Sequence, residues 1–195
     1  MSEKSDIQHS ILIVSASESF SGAMKTLVPA GLFSAMEVRR NGAAARQCIH
    51  ERYYNIVVIN SPLPDETGVE LAVDAAEETD ACVMLLTPSE SFDDAMDRVT
   101  DAGVLVVPKP AQRGTVNKGV RLLAAIQNKM ITLSREADKA REKTEEIRMV
   151  DRAKFILMEK KKMTEEEAHR FIGKQAMDSG MSRVTIARQI IDDYM

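Results

Sequence analysis

The first 118 residues predict an α/β fold, a doubly wound sheet of five parallel strands. A coiled-coil helix over 119–147 and a small three-helix all-α domain over 148–195 follow it. Three observations lead there. Short apolar runs alternate with amphipathic stretches up to residue 110; apolar residues then recur at intervals of three and four with no Pro or Gly from 120 to 172; and helix caps divide the last block into three.

The strands read "ILIVS" (11–15), "NIVVIN" (55–60), "CVMLLT" (82–87) and "VLVVP" (104–108), with "MEVRRNG" (36–42) as a weaker second strand. Runs apolar on both faces and separated by helices belong to a parallel sheet covered on both sides. Five helices complete the unit. Such sheets carry their functional groups beyond the carboxyl ends of the strands. Those ends hold Ser15, Ala16 and Ser17, then Asn60, then Thr87, then Lys109 and Pro110.

Asn60 is the informative residue. It closes an apolar strand and opens the turn "SPLPDETG", where a site built for chemistry would place an acid. At these strand ends the chain resembles the receiver domain of two-component response regulators, a flavodoxin-like fold. The resemblance implies an acidic pair after the first strand for Mg²⁺, a phosphoacceptor Asp after the third, a Thr or Ser after the fourth and Lys-Pro after the fifth. Thr87 and Lys109-Pro110 match, whereas Ser15 and Ala16 stand for the acidic pair and Asn60 for the acceptor. An amide is a poor nucleophile, and Mg²⁺ wants carboxylate oxygens. The expectation is a pseudo-receiver without metal, cofactor or aspartyl phosphate. Lys109 is expected to hydrogen-bond across the strand ends to Asn60 and Thr87 to cap a turn; an anion site retained by the two is the alternative.

From residue 123 the pattern becomes a seam: Leu123, Ile126, Met130, Leu133, Ala137, Ala140, Thr144 and Ile147. A parallel homodimer is expected. The small residues make it a marginal zipper, because Ala buries little area, and packing of the seam on the chain's own domains stays open.

The final block begins with "IRMVDRAKFILMEKKK" (147–162). Thr164 and Glu167 form a capping box for the second helix, Gly180 ends it, and Ser182 caps the third, "RVTIARQIIDDY". A core this small gains from attachment to a stem. The segments "AKFILM", "EEEAHRFI", "QAM" and "SRVTIARQII" resemble, in order and spacing, the ANTAR domain of bacterial transcription antiterminators of the AmiR and NasR type. His169 departs from the aromatic often found there. The resemblance implies binding of RNA stem-loops in leader transcripts, presented with two domains per dimer. Lys154, Arg170, Lys174, Arg183 and Arg188 are the basic candidates for that grip, with Thr185 as a hydrogen-bonding partner. Lys154 and Lys174 fall in or beside the family motifs. "EKKK" (159–162) reads as a helix-end complement to the macrodipole.

Charge divides unevenly. Residues 119–195 carry 16 Lys and Arg against 13 Asp and Glu, and residues 1–118 carry 10 against 17. The C-terminal part is the better partner for a polyanion. Cys48 and Cys82 lie among apolar neighbours and are expected to be buried thiols. No apolar run is long enough to span a bilayer, and the polar start "MSEKSDIQHS" predicts a cytoplasmic protein without a signal peptide. No nucleophile, paired acid or metal cluster points to an enzyme. Two rival readings remain: a DNA-binding helix-turn-helix over the last two helices, and an adaptor that only scaffolds other proteins. The signal that replaces phosphorylation would come from a regulatory partner protein, from a ligand on the receiver, or from concentration-driven dimerisation.

Overall fold

The computed structural model describes residues 8–28 and 31–194. It divides into two compact units, Met1–Ile131 and Thr132–Met195.

The first unit is the five-stranded parallel sheet, with order β2-β1-β3-β4-β5. Its strands are β1 (His9–Val14), β2 (Phe33–Arg39), β3 (Ile56–Asn60), β4 (Cys82–Pro88) and β5 (Leu105–Lys109). The helices between them are α1 (Glu18–Leu27), α2 (Gly42–Glu51), α3 (Val69–Glu77) and α4 (Phe92–Val99). The long helix α5 (Arg113–Lys161) follows β5.

Alternation along each strand sends neighbouring side chains to opposite faces, and two cores result. Leu12, Val57, Ile59, Val83, Leu85 and Val106 pack against α2, α3 and α4. Ile11, Ile13, Val58, Met84, Leu86 and Val107 pack against α1 and the start of α5. Helix α5 approaches the sheet at Gly119, where a Cβ would lie 2.5 Å from Met84 Cε. It is also latched by the buried Gln127, whose Nε2 donates to the carbonyls of Asn55 (3.0 Å) and Asp80 (2.6 Å).

These contacts change the expected seam. Leu123 is only 4% exposed and belongs to the sheet's own core with Val116, Val120 and Ala124, so it is not free to face a second chain. Its neighbour Leu122, 53% exposed, takes its place on the outer stripe. The helical residues up to Ile131 accordingly belong to the first unit and not to a linker beginning at 119.

In the second unit, the end of α5 packs with α6 (Glu165–Ser179) and α7 (Arg183–Tyr194) around Ala153, Leu157, Ala168, Ile172, Ala176, Ile186, Ala187, Ile190 and Ile191. The capping box is present: the Glu167 amide donates to Thr164 Oγ1 at 3.3 Å, and the Thr164 amide donates to Glu167 Oε2 at 2.8 Å. Gly180 ends α6 at φ +67°, a left-handed conformation that glycine adopts without steric cost. Ser182 Oγ accepts from the Thr185 amide at 3.1 Å to start α7. Met177, though apolar, is exposed.

Candidate nucleic-acid interface and degenerate strand-end site

At the carboxyl ends of the strands, alternation decides which groups meet. Ser15, Asn60 and Lys109 continue the series Ile11-Ile13, Ile56-Val58 and Leu105-Val107, and so fall on the α1 and α5 side. Thr87 continues Val83 and Leu85 and falls on the α3 and α4 side.

The first three form one hydrogen-bonded chain. Lys109 Nζ donates to Asn60 Oδ1 at 3.2 Å and also to the carbonyl of buried Ser61. Asn60 Nδ2 donates to Ser15 Oγ at 3.0 Å, and Ser15 Oγ accepts the Ser17 amide at 3.1 Å. Partial burial holds the Lys109 ammonium below its usual pKa. Both ends of the Asn60 amide are therefore used. The expected Lys109–Asn60 bond is present, and exposed Ala16 adds no polar group.

Thr87 departs from expectation. Among the described residues its hydroxyl caps no turn, and strand alternation assigns it to the opposite face of the sheet from Lys109. Among the described residues no three or more His, Cys, Asp or Glu side chains cluster as a metal site. Cys48 is buried and Cys82 half-buried, both as free thiols. No described helix is long and apolar enough to cross a membrane.

In the second unit the predicted basic residues separate into groups. Arg170 and Lys174, four positions apart on α6, lie on the face opposite buried Ala168, Ile172 and Ala176. The Arg183 guanidinium leans toward Gly173: a Cβ built there would sit 3.8 Å from Arg183 Nη2. Arg170 and Lys174 thus share the exposed face of α6, Arg183 approaches that helix at Gly173, and an ion pair to Glu166 tempers Arg170. Arg188 is exposed too, but five positions from Arg183 is about 140° round the helix, so it serves a different face. Thr185 spends its hydroxyl on Ser182 at 2.9 Å.

Lys154 is not the free cation that its motif suggested. Its side chain is 15% exposed and is held by Asp151 at 2.8 Å and Glu165 at 2.9 Å. Those bonds, with Asp151 the larger influence, raise its pKa. Residues 159–162 show another use that sequence reasoning missed. Lys161 Nζ stands 5.0 Å from the Phe171 ring centroid, beside a cleft of about 400 Å³ that Gln175, Gln189 and Tyr194 also line.

Comparison with known proteins bears on both units. Residues 138–191 match the family model described as "ANTAR domain". The chain carries an ANTAR domain. Ahead of it stands a receiver-like domain, which is similar to the CheY-like response regulator receiver domain of Methanospirillum hungatei: 18% identity over 63% of this chain and 98% of that one, TM-score 0.57. A solved chain of an adenylate cyclase from Rhodopirellula baltica is comparably similar, at 20% identity, 68% and 98% coverage and TM-score 0.59. Identities this low establish the fold alone. The chain is 26% identical over 139 residues to the transcriptional regulatory protein PdtaR of Mycobacterium tuberculosis, covering 71% of this chain and 67% of that protein. The ANTAR domain contains every basic candidate from Lys154 to Arg188, and the receiver-like domain contains the strand-end chain of Ser15, Asn60 and Lys109.

Proposed function

We propose that the chain is an RNA-binding regulator of transcription antitermination whose input does not depend on phosphorylation. The observation that carries this reading is the coincidence of the ANTAR match with a helical unit whose α6–α7 corner turns Arg170, Lys174 and Arg183 to solvent. A stem-loop brings two phosphate backbones close together and displays unstacked loop bases. These three cations grip the first, and the short polar groups beside them are of a size to contact the second. Occupying a leader stem-loop in this way holds the transcript in a form that blocks terminator folding.

Two further features support the reading. Leu122, Ile126, Met130 and Leu133 form an exposed apolar stripe on α5, continued by Ala137, Ala140, Thr144 and Ile147, and a parallel homodimer would cover it. Such a dimer offers two ANTAR domains to one transcript. In the receiver-like domain, a phosphoryl group would find an amide already bonded at both ends and a lysine, but no carboxylate to hold Mg²⁺. The protein is accordingly assigned to the cytoplasm, with RNA and a second copy of itself as partners.

Sequencing of RNA crosslinked to the protein in its own cells, with DNA crosslinking in parallel, tests the function. Leader segments with adjacent stem-loops beside a terminator are the expected harvest. Promoter DNA alone would replace this reading by a DNA-binding regulator, and recovery of neither by an adaptor.

A further inference from the structure

The face of the sheet that Thr87 joins carries a feature that the strand-end chain does not explain. A cleft of about 390 Å³ opens there between the β3–α3 turn and α4. Pro62, Val69, Pro88 and Ala95 supply its apolar wall, and the Thr87 side chain reaches it from the end of β4. Thr87 is 1% exposed, and among the described residues its hydroxyl makes no hydrogen bond. That hydroxyl lines the cleft and is open to a polar atom that enters it.

The charges at the mouth are one-sided. Arg98 is tied to Glu70 in an ion pair, while Glu90 and Asp94 line the same cleft with no cation against them among the described residues. A ligand entering here meets two uncompensated carboxylates, then an apolar wall, then a hydroxyl able to donate or accept. An anion is disfavoured at the rim, and a strongly hydrated inorganic cation gains nothing from the wall.

We propose that this cleft binds a small organic cation, an amine carried on a compact apolar body. The ammonium lies at Glu90 and Asp94, the body covers Val69 and Ala95, and a polar atom at its far end pairs with Thr87. Clefts beyond the carboxyl ends of parallel strands are the usual ligand sites of doubly wound sheets. The cleft also touches Ser61, whose carbonyl takes the Lys109 ammonium, so it adjoins the strand-end chain without being lined by Ser15, Asn60 or Lys109. It names a chemical class for the input and rests on no assumption about RNA.

The test uses three probes of one shape: 2-phenylethylammonium, 2-phenylethanol and phenylacetate. Each is titrated into the full-length protein while backbone amide resonances are followed. The ammonium is expected to shift residues 87–98 saturably and to bind about fivefold to tenfold more tightly than the alcohol, with the carboxylate weakest. Glu90→Gln with Asp94→Asn should bring ammonium and alcohol to equal affinity. Thr87→Val should leave the preference for the cation in place and leave folding intact, because that hydroxyl holds nothing in the protein. Saturation by the carboxylate as tight as by the ammonium, shifts centred away from 87–98, or no saturable shift with any probe would each overturn the proposal. RNA is absent throughout, so failure here leaves the antitermination reading untouched.

Discussion

Asn60 is engaged at both ends of its amide, because Lys109 donates to its oxygen and its nitrogen donates to Ser15, and an amide is in any case a poor nucleophile toward a phosphoryl group. Restoring a single acid does not restore the chemistry, since Ser15 and Ala16 still offer no carboxylate for a metal. The Asn60→Asp variant is therefore expected to gain no aspartyl phosphate from acetyl phosphate and Mg²⁺, read by intact mass; a phosphoryl adduct would show that one carboxylate suffices. His9 makes a second residue-scale case. It is buried at the start of β1 with its ring 6.0 Å from that of Phe33, and desolvation outweighs a polar contact with Asn128 to push its pKa below 6.5. The folded state refuses a proton that the unfolded chain accepts, so the unfolded state binds more protons and stability falls as pH drops through the unfolded value. Urea midpoints measured from about pH 8 to about pH 5 should decline for the wild type and decline less for His9→Leu.

Element-scale predictions concern helix ends and faces. Removing the reciprocal cap of α6 with Thr164→Ala should lower the stability of the ANTAR domain by about 1 kcal/mol in thermal unfolding, since it strands the Glu167 amide. Lys154→Ala should act mainly on stability too, by less than about 1 kcal/mol, because its partners Asp151 and Glu165 are partly solvated. Lys174→Ala is expected to weaken RNA binding more than Lys154→Ala does, and a filter-binding series with both variants decides it. This order reverses what the motifs alone suggest, and the reason shows where reading the sequence stops. Strand runs, the capping box and Gly180 are written in local patterns of two, three and four residues, and each was legible. Whether Lys154 is free depends on Glu165, eleven residues on and in another helix. Whether Leu122 or Leu123 faces outward depends on how α5 lies on the sheet at Gly119 and Gln127. The separation of Thr87 from Lys109 follows from strand parity and could have been found by extending Val83 and Leu85 two residues.

For the whole molecule, the uneven charge and the exposed stripe make connected predictions. Residues 1–118 carry a net −7 and 119–195 a net +3, so attraction to a polyanion is local to the C-terminal part and opposed by the rest. One ANTAR domain with a few exposed cations releases few counterions on binding, so its affinity for a single stem-loop should be weak and fall only gently with salt. Pairing two chains through Ile126, Met130 and Leu133 makes the second stem-loop contact intramolecular and raises affinity without any new contact type. Met130→Asp with Leu133→Asp places charges on the stripe while leaving both cores unchanged. That variant should sediment as a monomer, bind one isolated stem-loop as the wild type does, and lose about a hundredfold in affinity for two adjacent stem-loops. Equal loss on both RNAs would mean that the stripe contributes to the RNA site itself. No loss on either, with the dimer retained, would mean that another surface joins the two chains.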